Sequence, residues 1–298
     1  MPAHTLLRCS GKNSFMIKKL DSYLPDLSQS LIIMGLMILV GSVVSVLATV
    51  AISFIFPSFE PYSQLLIYPL LFLPPAIYIY SKIVNQKDMA YVLGANEKPV
   101  VPLNNPRFGR LGGLLSFIII FFLIFAFNIV TEPLSSWMGV PEFIKDVMQN
   151  MKENPLTAFI SVAIFAPLFE EVLCRGIILR GLLHYYSPWK AILWSAAMFA
   201  VMHLNPWQAI PAFLIGTLMG WIYYKTRSLW ATIFIHFLNN SFSFAITVLF
   251  PELPDDATFS SIIPGNYYFI TYIIALLFTV GAIYLMNQKY DKPISDKI

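Results

Sequence analysis

Charged residues are scarce in this 298-residue chain: Asp, Glu, Lys and Arg make up 12% of it, whereas 57% of its residues are hydrophobic. A soluble globular domain carries about 25% charged residues. The composition therefore excludes an ordinary soluble fold and indicates a protein that crosses a membrane several times. The net charge is only +3. We expect the chain to be surrounded by the lipid bilayer, and we expect no nucleic-acid partner.

Cysteine is also scarce, with only Cys9 and Cys174 in the whole chain. Two cysteines this far apart, with no CxxC pair, exclude a disulfide framework and a CxxC metal site. A short apolar core followed by an Ala-x-Ala cleavage site is missing as well. We therefore expect the first apolar run to be a retained anchor and not a removable signal peptide.

Long apolar runs dominate what is present. A helical bilayer crossing needs about 20 mostly apolar residues, and the chain offers about eight such runs. The fold class that they predict is all-α, a polytopic transmembrane helical bundle. This integral membrane domain would occupy residues 31–287, between tails at 1–30 and 288–298. The predicted spans are 31–56, 64–81, 111–131, 156–183, 188–204, 207–225, 229–250 and 266–287.

The positive charges alternate with these spans. Sixteen Lys and Arg residues fall on one side of the predicted bundle, and only Lys145 and Lys152 fall on the other. Because cytoplasmic loops are enriched in positive charge, both termini are predicted to be cytoplasmic. The sixteen are Arg8, Lys12, Lys18, Lys19, Lys82, Lys87, Lys98, Arg107, Arg110, Arg180, Lys190, Lys225, Arg227, Lys289, Lys292 and Lys297.

A segment between the third and fourth spans has helical periodicity. Apolar residues from Phe143 to Met151 fall on one face of a helix over 141–152. The pattern is typical of an amphipathic helix on the outer membrane surface, although a plain extramembrane connector explains it equally well.

Three ionisable residues interrupt the fourth span: Glu170, Glu171 and Arg175. An ionised side chain near the bilayer centre costs about 2.5–3.5 kcal/mol on insertion scales. Glu171 and Arg175 are four residues apart, so they stack on one helical face and can neutralise each other. Glu170 projects about 100° away. It therefore needs a partner on another helix or must stay neutral.

Later spans carry further polar residues, namely His203 in the fifth and His236 with Asn240 in the seventh. A lone intramembrane histidine is more often an interhelical hydrogen-bonding group than a catalyst. His236 and Asn240, however, are four residues apart and face the same way. Two such donors suit an oxyanion that forms during acyl transfer. A helix rises about 1.5 Å per residue. On this basis His203, His236 and Asn240 lie at a depth in the membrane similar to that of Glu170.

In their order, these residues resemble the CAAX protease and bacteriocin-processing (CPBP, or Abi) family of intramembrane endopeptidases, which includes type II CAAX prenyl proteases. The resemblance covers about residues 156–245, which we take as the catalytic core. One departure is Cys174, where an aromatic residue is usual, and we interpret Cys174 as structural. The motifs are Glu170-Glu171-Val-Leu-Cys-Arg175, Phe199-Ala-Val-Met-His203 and His236-Phe-Leu-Asn-Asn240.

The resemblance implies hydrolysis of peptide bonds in membrane-associated or lipidated substrates. Glu170 and His203 would activate a water molecule, and His236 and Asn240 would stabilise the oxyanion. Glu171 and Arg175 would hold the fourth span in register. We favour this metal-free mechanism without a cofactor. A zinc enzyme is the alternative, because Glu170, His203 and His236 are also a catalytic zinc set.

Two other functions compete with proteolysis. A proton-coupled transporter also uses intramembrane Glu, Arg and His, but transporters often show matching halves and the polar residues lie only in the second half here. A non-catalytic scaffold, or a factor in immunity or secretion, is the other alternative. We expect a multi-pass protein of the bacterial inner (plasma) membrane.

Overall fold

The computed structural model describes residues 20–93 and 101–291, with the side chains of 86–93 outside that description. All regular structure in these residues is helical, which confirms the all-α prediction. The longer helices are α1 (Leu27–Ile55), α2 (Gln64–Leu70), α3 (Leu73–Leu93), α4 (Gly112–Thr131), α5 (Glu142–Glu153), α6 (Pro155–Tyr185), α7 (Pro188–Val201), α8 (Pro206–Thr226), α9 (Leu229–Leu249) and α10 (Gly265–Lys289).

Six segments of the described chain are long and apolar enough to cross a membrane, and they make this a multi-pass membrane protein. Helices form at the two other predicted spans as well, but they fall outside this set. Helix α7 has only 14 residues, about 21 Å at 1.5 Å per residue, which is shorter than a hydrocarbon core of about 30 Å. The count of eight crossings, the orientation and the domain boundaries stay predictions.

The bundle has two distinct ends, because successive helices run in alternate directions. We call the end that holds both described chain ends the terminal face. There the backbone N–H of Arg107 donates to the carbonyl of Thr226 at 2.7 Å, and the rings of Phe108 and Tyr290 lie 6.3 Å apart. The other end is the distal face, where Lys152 and Asp255 form an ion pair at 3.5 Å. The distal face comprises residues 56–63, 132–154 and 250–264.

One arginine anchors the terminal face. Arg180 is fully buried, although it is one of the sixteen basic residues that the charge pattern assigns to this side. Its Nη2 donates to the carbonyls of Leu20 and Tyr23, both at 2.8 Å. Its Nη1 donates to the carbonyl of Val101 and lies 3.5 Å from Asp21 Oδ1. Arg180 therefore ties three separate chain segments together.

The structure describes the side chains of seven of the other fifteen basic residues on this side, and the remaining eight lie outside the described side chains. The seven are Lys82, Arg107, Arg110, Lys190, Lys225, Arg227 and Lys289.

The predicted amphipathic helix is present as α5 on the distal face. Ile144 is buried against the bundle, whereas Phe143 and Val147 are about half exposed, at 52% and 47%. This division suits a helix that packs on the bundle along one edge and meets lipid along another. The carboxylate of Glu142 accepts a hydrogen bond from Lys145 and thereby raises the pKa of Lys145. Lys145 therefore stays charged at neutral pH.

Candidate active site

Helix α6 is irregular where its two glutamates lie. A regular α-helical segment, Ala166–Glu171, is flanked by the wider π-helical segments Ile160–Phe165 and Val172–Leu179. Pro167 begins the change, because proline has no N–H to donate to the carbonyl four residues earlier. π-helical turns are frequent at functional sites. The local sequence therefore places Glu170 and Glu171 on a distorted stretch of a buried helix.

Glu171 is the centre of a buried ionic network. Its Oε1 accepts hydrogen bonds from Arg175 Nη1 at 2.8 Å and from His236 Nδ1 at 3.0 Å. The second Arg175 amine, Nη2, donates to the carbonyl of Gly216 at 3.0 Å. The predicted Glu171–Arg175 pair thus forms. The pair also contacts a third residue, because Glu171 binds and orients His236 on helix α9.

Glu170 has a partner that the sequence did not indicate. The hydroxyl of Tyr68, on helix α2, donates to Glu170 Oε1. The second oxygen, Oε2, is buried and has no hydrogen-bond partner. It lies 4.0 Å from His236 Nε2, beyond direct hydrogen-bond distance. Glu170 was expected to need a partner on another helix, and that partner is Tyr68 in the first half of the chain. The second oxygen of Glu170 makes no hydrogen bond to the described residues.

His203 lies in the short turn that joins α7 to α8. Its Nδ1 lies 2.9 Å from the carbonyl of Phe199. Leu204 has a positive φ of 58°, which turns the backbone sharply, and Asn205 caps the start of α8 through Gln208. Among the described residues no hydrogen bond joins His203 to Glu170, so the predicted pair is not in direct contact.

The ring of Phe199 lies between the polar groups. Its centroid is 5.3 Å from the ring of His203 and 5.5 Å from that of His236. The guanidinium carbon of Arg175 lies 4.5 Å from the same centroid. A cation over an aromatic face is stabilised by the ring quadrupole. Phe199 therefore separates three of the polar side chains, a role that the motif by itself does not indicate.

Asn240 is joined to a chain of amides. Its Nδ2 donates to the carbonyl of Val162, within the first π-helical segment, at 2.9 Å. Asn239 donates to Asn240 Oδ1 at 3.3 Å, and Asn128 donates to Asn239 Oδ1 at 3.1 Å. One N–H of the Asn240 amide is thus engaged by the backbone, and the other remains for a ligand. Asn239 extends this chain of amides to helix α4.

A cavity of about 510 Å³ connects this cluster to the distal face. His203, His236 and Asn240 form part of its inner wall. Glu170 lies one side chain beyond that wall, behind His236. Predicted catalytic side chains therefore line a chamber large enough to admit part of a polypeptide.

The residues do not form a ready-made metal site. Within the described ranges no three His, Cys, Asp or Glu side chains converge as a ligand set. His236 uses Nδ1 on Glu171, and His203 directs Nδ1 towards a backbone carbonyl. Cys174 is fully buried, and its carbonyl accepts a hydrogen bond from Ser195. This position agrees with the structural interpretation of Cys174.

Comparison with known proteins agrees with the resemblance that the motifs carry. Residues 152–242 match the model of a family described as type II CAAX prenyl endopeptidase Rce1-like. The match covers less than a third of the chain and contains all three motifs. The resemblance predicted from the motifs is thereby confirmed for this part of the chain.

One relative has a name that agrees with this class. It is the protein named "Putative membrane peptidase YdiL" of Bacillus subtilis (strain 168), which is 29% identical over 99 residues. The aligned part is 33% of this chain and 39% of that relative, so the chain matches well under half of its length. No solved structure matches the chain significantly.

Proposed function

We propose that this protein is a CAAX-type intramembrane endopeptidase. The observation that carries the proposal is the surroundings of Glu170: Tyr68 holds one oxygen, and the other lies 4.0 Å from His236 Nε2. The neighbouring Glu171 is instead ion-paired with Arg175. A buried carboxylate beside a histidine that lines the inner wall of a cavity is suited to act as a general base. The family match supports the same reaction class.

The reaction begins with a water molecule between Glu170 and the histidines. The 4.0 Å gap from Glu170 Oε2 to His236 Nε2 is too long for a direct hydrogen bond and suits a bridging water. Glu170 takes a proton from this water as the oxygen attacks the peptide carbonyl carbon. His203, with Nδ1 directed to a backbone carbonyl, keeps Nε2 to orient the water.

The oxyanion of the tetrahedral intermediate is the charge to be stabilised. Asn240 offers its remaining amide N–H. His236 donates Nδ1–H to Glu171, so it can donate to an oxyanion only through Nε2–H, which requires the imidazolium form. When the intermediate collapses, the C–N bond breaks and Glu170 returns its proton to the leaving amine. The products are a new carboxyl terminus and a new amino terminus.

The proposed substrates are membrane-associated or lipidated polypeptides, in CAAX-type or bacteriocin- and immunity-related processing, and the proposed location is the bacterial plasma membrane. Neither the family match nor the geometry favours the scaffold or transporter alternatives.

The test compares the ends of membrane peptides in cells that express the wild type, Glu170→Gln or His203→Ala. We expect a set of cleaved ends that is present with the wild type and lost in both variants. Glu60→Gln removes an equivalent charge from an exposed distal-face residue and should leave the set unchanged. If all four strains gave the same ends while the proteins accumulated equally, the endopeptidase proposal would be rejected.

Chelation separates the metal-free mechanism from the zinc alternative. We expect purified enzyme to cleave an identified substrate at an unchanged rate after incubation with phenanthroline, because Glu170 itself activates the water. Loss of at least ten-fold in rate, with recovery on addition of zinc, would assign Glu170, His203 and His236 as zinc ligands instead.

A further inference from the structure

The cavity described above approaches the surface at only one of the two faces among the described residues. Its inner wall carries His203 and His236, and its outer wall includes Lys152 and Asp255 of the distal face. The side chains of this ion pair remain 24% and 34% exposed. Access to the cluster therefore runs between α5 and the segment after α9. The chain segments of the terminal face contribute nothing to the lining.

The two faces differ in charge. Of the described basic residues, the distal face has Lys145 and Lys152, and it carries eight acidic residues. The basic residues of the terminal face are the eight of the sixteen named above whose side chains the structure describes. Positively charged loops are retained in the cytoplasm during membrane insertion. By this rule, the asymmetry predicts that the terminal face is in the cytoplasm and the distal face outside.

Taken together, these two observations orient the site, and we propose that it is reached from the extracytoplasmic side of the membrane. The substrates are then membrane-anchored polypeptides whose scissile bond lies on that side after export. Polypeptides that stay in the cytoplasm would not reach the cavity. The identity of the polypeptides as substrates rests on the proposed endopeptidase function. The side of the membrane from which the cavity is reached does not depend on that function.

The cavity walls fit such a substrate. Met148 and Met151 on α5, with Phe242 and Ile246 on α9, give an apolar lining, and methionine adapts to varied apolar shapes. The acidic groups of Asp255 and Asp256 lie at the outer part. A polypeptide would place an apolar membrane-embedded stretch in the interior and a polar, extracytoplasmic stretch at the rim.

Cysteine labelling tests the direction of access without any enzyme assay. In a Cys9→Ser background, which keeps the buried Cys174, a single cysteine is introduced by Ser136→Cys or by Ser187→Cys. Ser136 is exposed and lines the cavity, whereas Ser187 is exposed between α6 and α7 near the terminal face. Intact and permeabilised bacterial cells are then treated with a membrane-impermeant maleimide.

We expect Ser136→Cys to be labelled in intact cells and Ser187→Cys only after permeabilisation, with at least a ten-fold difference between them. Labelling of both after permeabilisation shows that both proteins are present and accessible. The reverse pattern, or equal labelling in intact cells, would overturn the proposal. Unchanged membrane peptides in Glu170→Gln cells would instead reject the endopeptidase function, so the two failures are distinguishable.

Discussion

At the residue scale, the site depends on how each carboxylate oxygen is used. Glu171 places one oxygen between the cationic Arg175 and His236, whereas Glu170 has one oxygen on the neutral hydroxyl of Tyr68 and the other 4.0 Å from His236 Nε2. Adjacent residues of the same type therefore have different surroundings. The i, i+4 spacing of Glu171 and Arg175 predicted their pairing. Tyr68 could not be found in this way, because it is 102 positions from Glu170 and no local pattern distinguishes it from other tyrosines.

Tyr68→Phe removes the hydroxyl that holds Glu170. A hydrogen bond to a charged group contributes about 1.5–3 kcal/mol, so we expect kcat to fall by about 10- to 100-fold with KM changed less than two-fold. Tyr68 acts through Glu170 as a positioning residue. Tyr80→Phe, which alters an exposed tyrosine on the following helix α3, is the matched control. Equal kinetics for the two variants would contradict the role of Tyr68.

Arg175→Met leaves the buried Glu171 carboxylate without its main counter-charge. Breaking a buried ion pair from one side costs about 3–5 kcal/mol, so we expect a much lower thermal midpoint in detergent. The double variant with Glu171→Gln removes the unpaired charge and should recover part of the loss. If the double variant were less stable than Arg175→Met, the charge would not be the cause.

At the element scale, helix positions follow the apolar runs closely. The predicted spans 229–250 and 266–287 appear as Leu229–Leu249 and Gly265–Lys289, because length and apolar content determine a membrane helix. The predicted fifth span, 188–204, is already shorter than its neighbours, and it appears as the short helix Pro188–Val201. The π-helical segments of α6 were not predicted, because they depend on packing against other helices, which a hydrophobic run does not encode.

Helix α8 approaches α7 closely at Gly216. A Cβ on Gly216 would lie 3.2 Å from Phe199 and 3.3 Å from Arg175 Nη2. We therefore expect Gly216→Leu to lower the thermal midpoint and to abolish activity. A Cβ on Gly281, in α10, would have no other atom within 4 Å, so Gly281→Leu should be tolerated. Similar midpoints for the two leucine variants would refute the close-packing argument.

At the scale of the whole molecule, the terminal face is held by polar contacts that a hydropathy pattern cannot reveal. The charge pattern assigns Arg180 to this end, but it does not predict that the side chain is buried. Its burial follows from backbone carbonyls of distant segments, which satisfy the guanidinium. Polar groups buried in this way are costly to leave without partners.

Arg180→Met leaves those carbonyls without a donor. Each unsatisfied buried group costs about 1–3 kcal/mol, so we expect reduced stability and faster proteolysis of the N-terminal segment around residue 20. Lys289→Met removes an exposed charge from the same face and serves as the control. Limited proteolysis of the two variants in membranes compares them directly, and equal cleavage rates would argue against the anchoring role.

Phe199 has a consequence for how this site can change over time. One ring, 2% exposed, touches both histidines and the arginine, and its own carbonyl faces His203. Substitutions at neighbouring positions that share a partner have non-additive effects. An altered side chain at 199 would disturb the water-orienting His203, the oxyanion donor His236 and the counter-ion Arg175 at once. Variation in substrate choice is therefore expected to accumulate along the distant cavity walls, while the inner cluster is inherited as a unit.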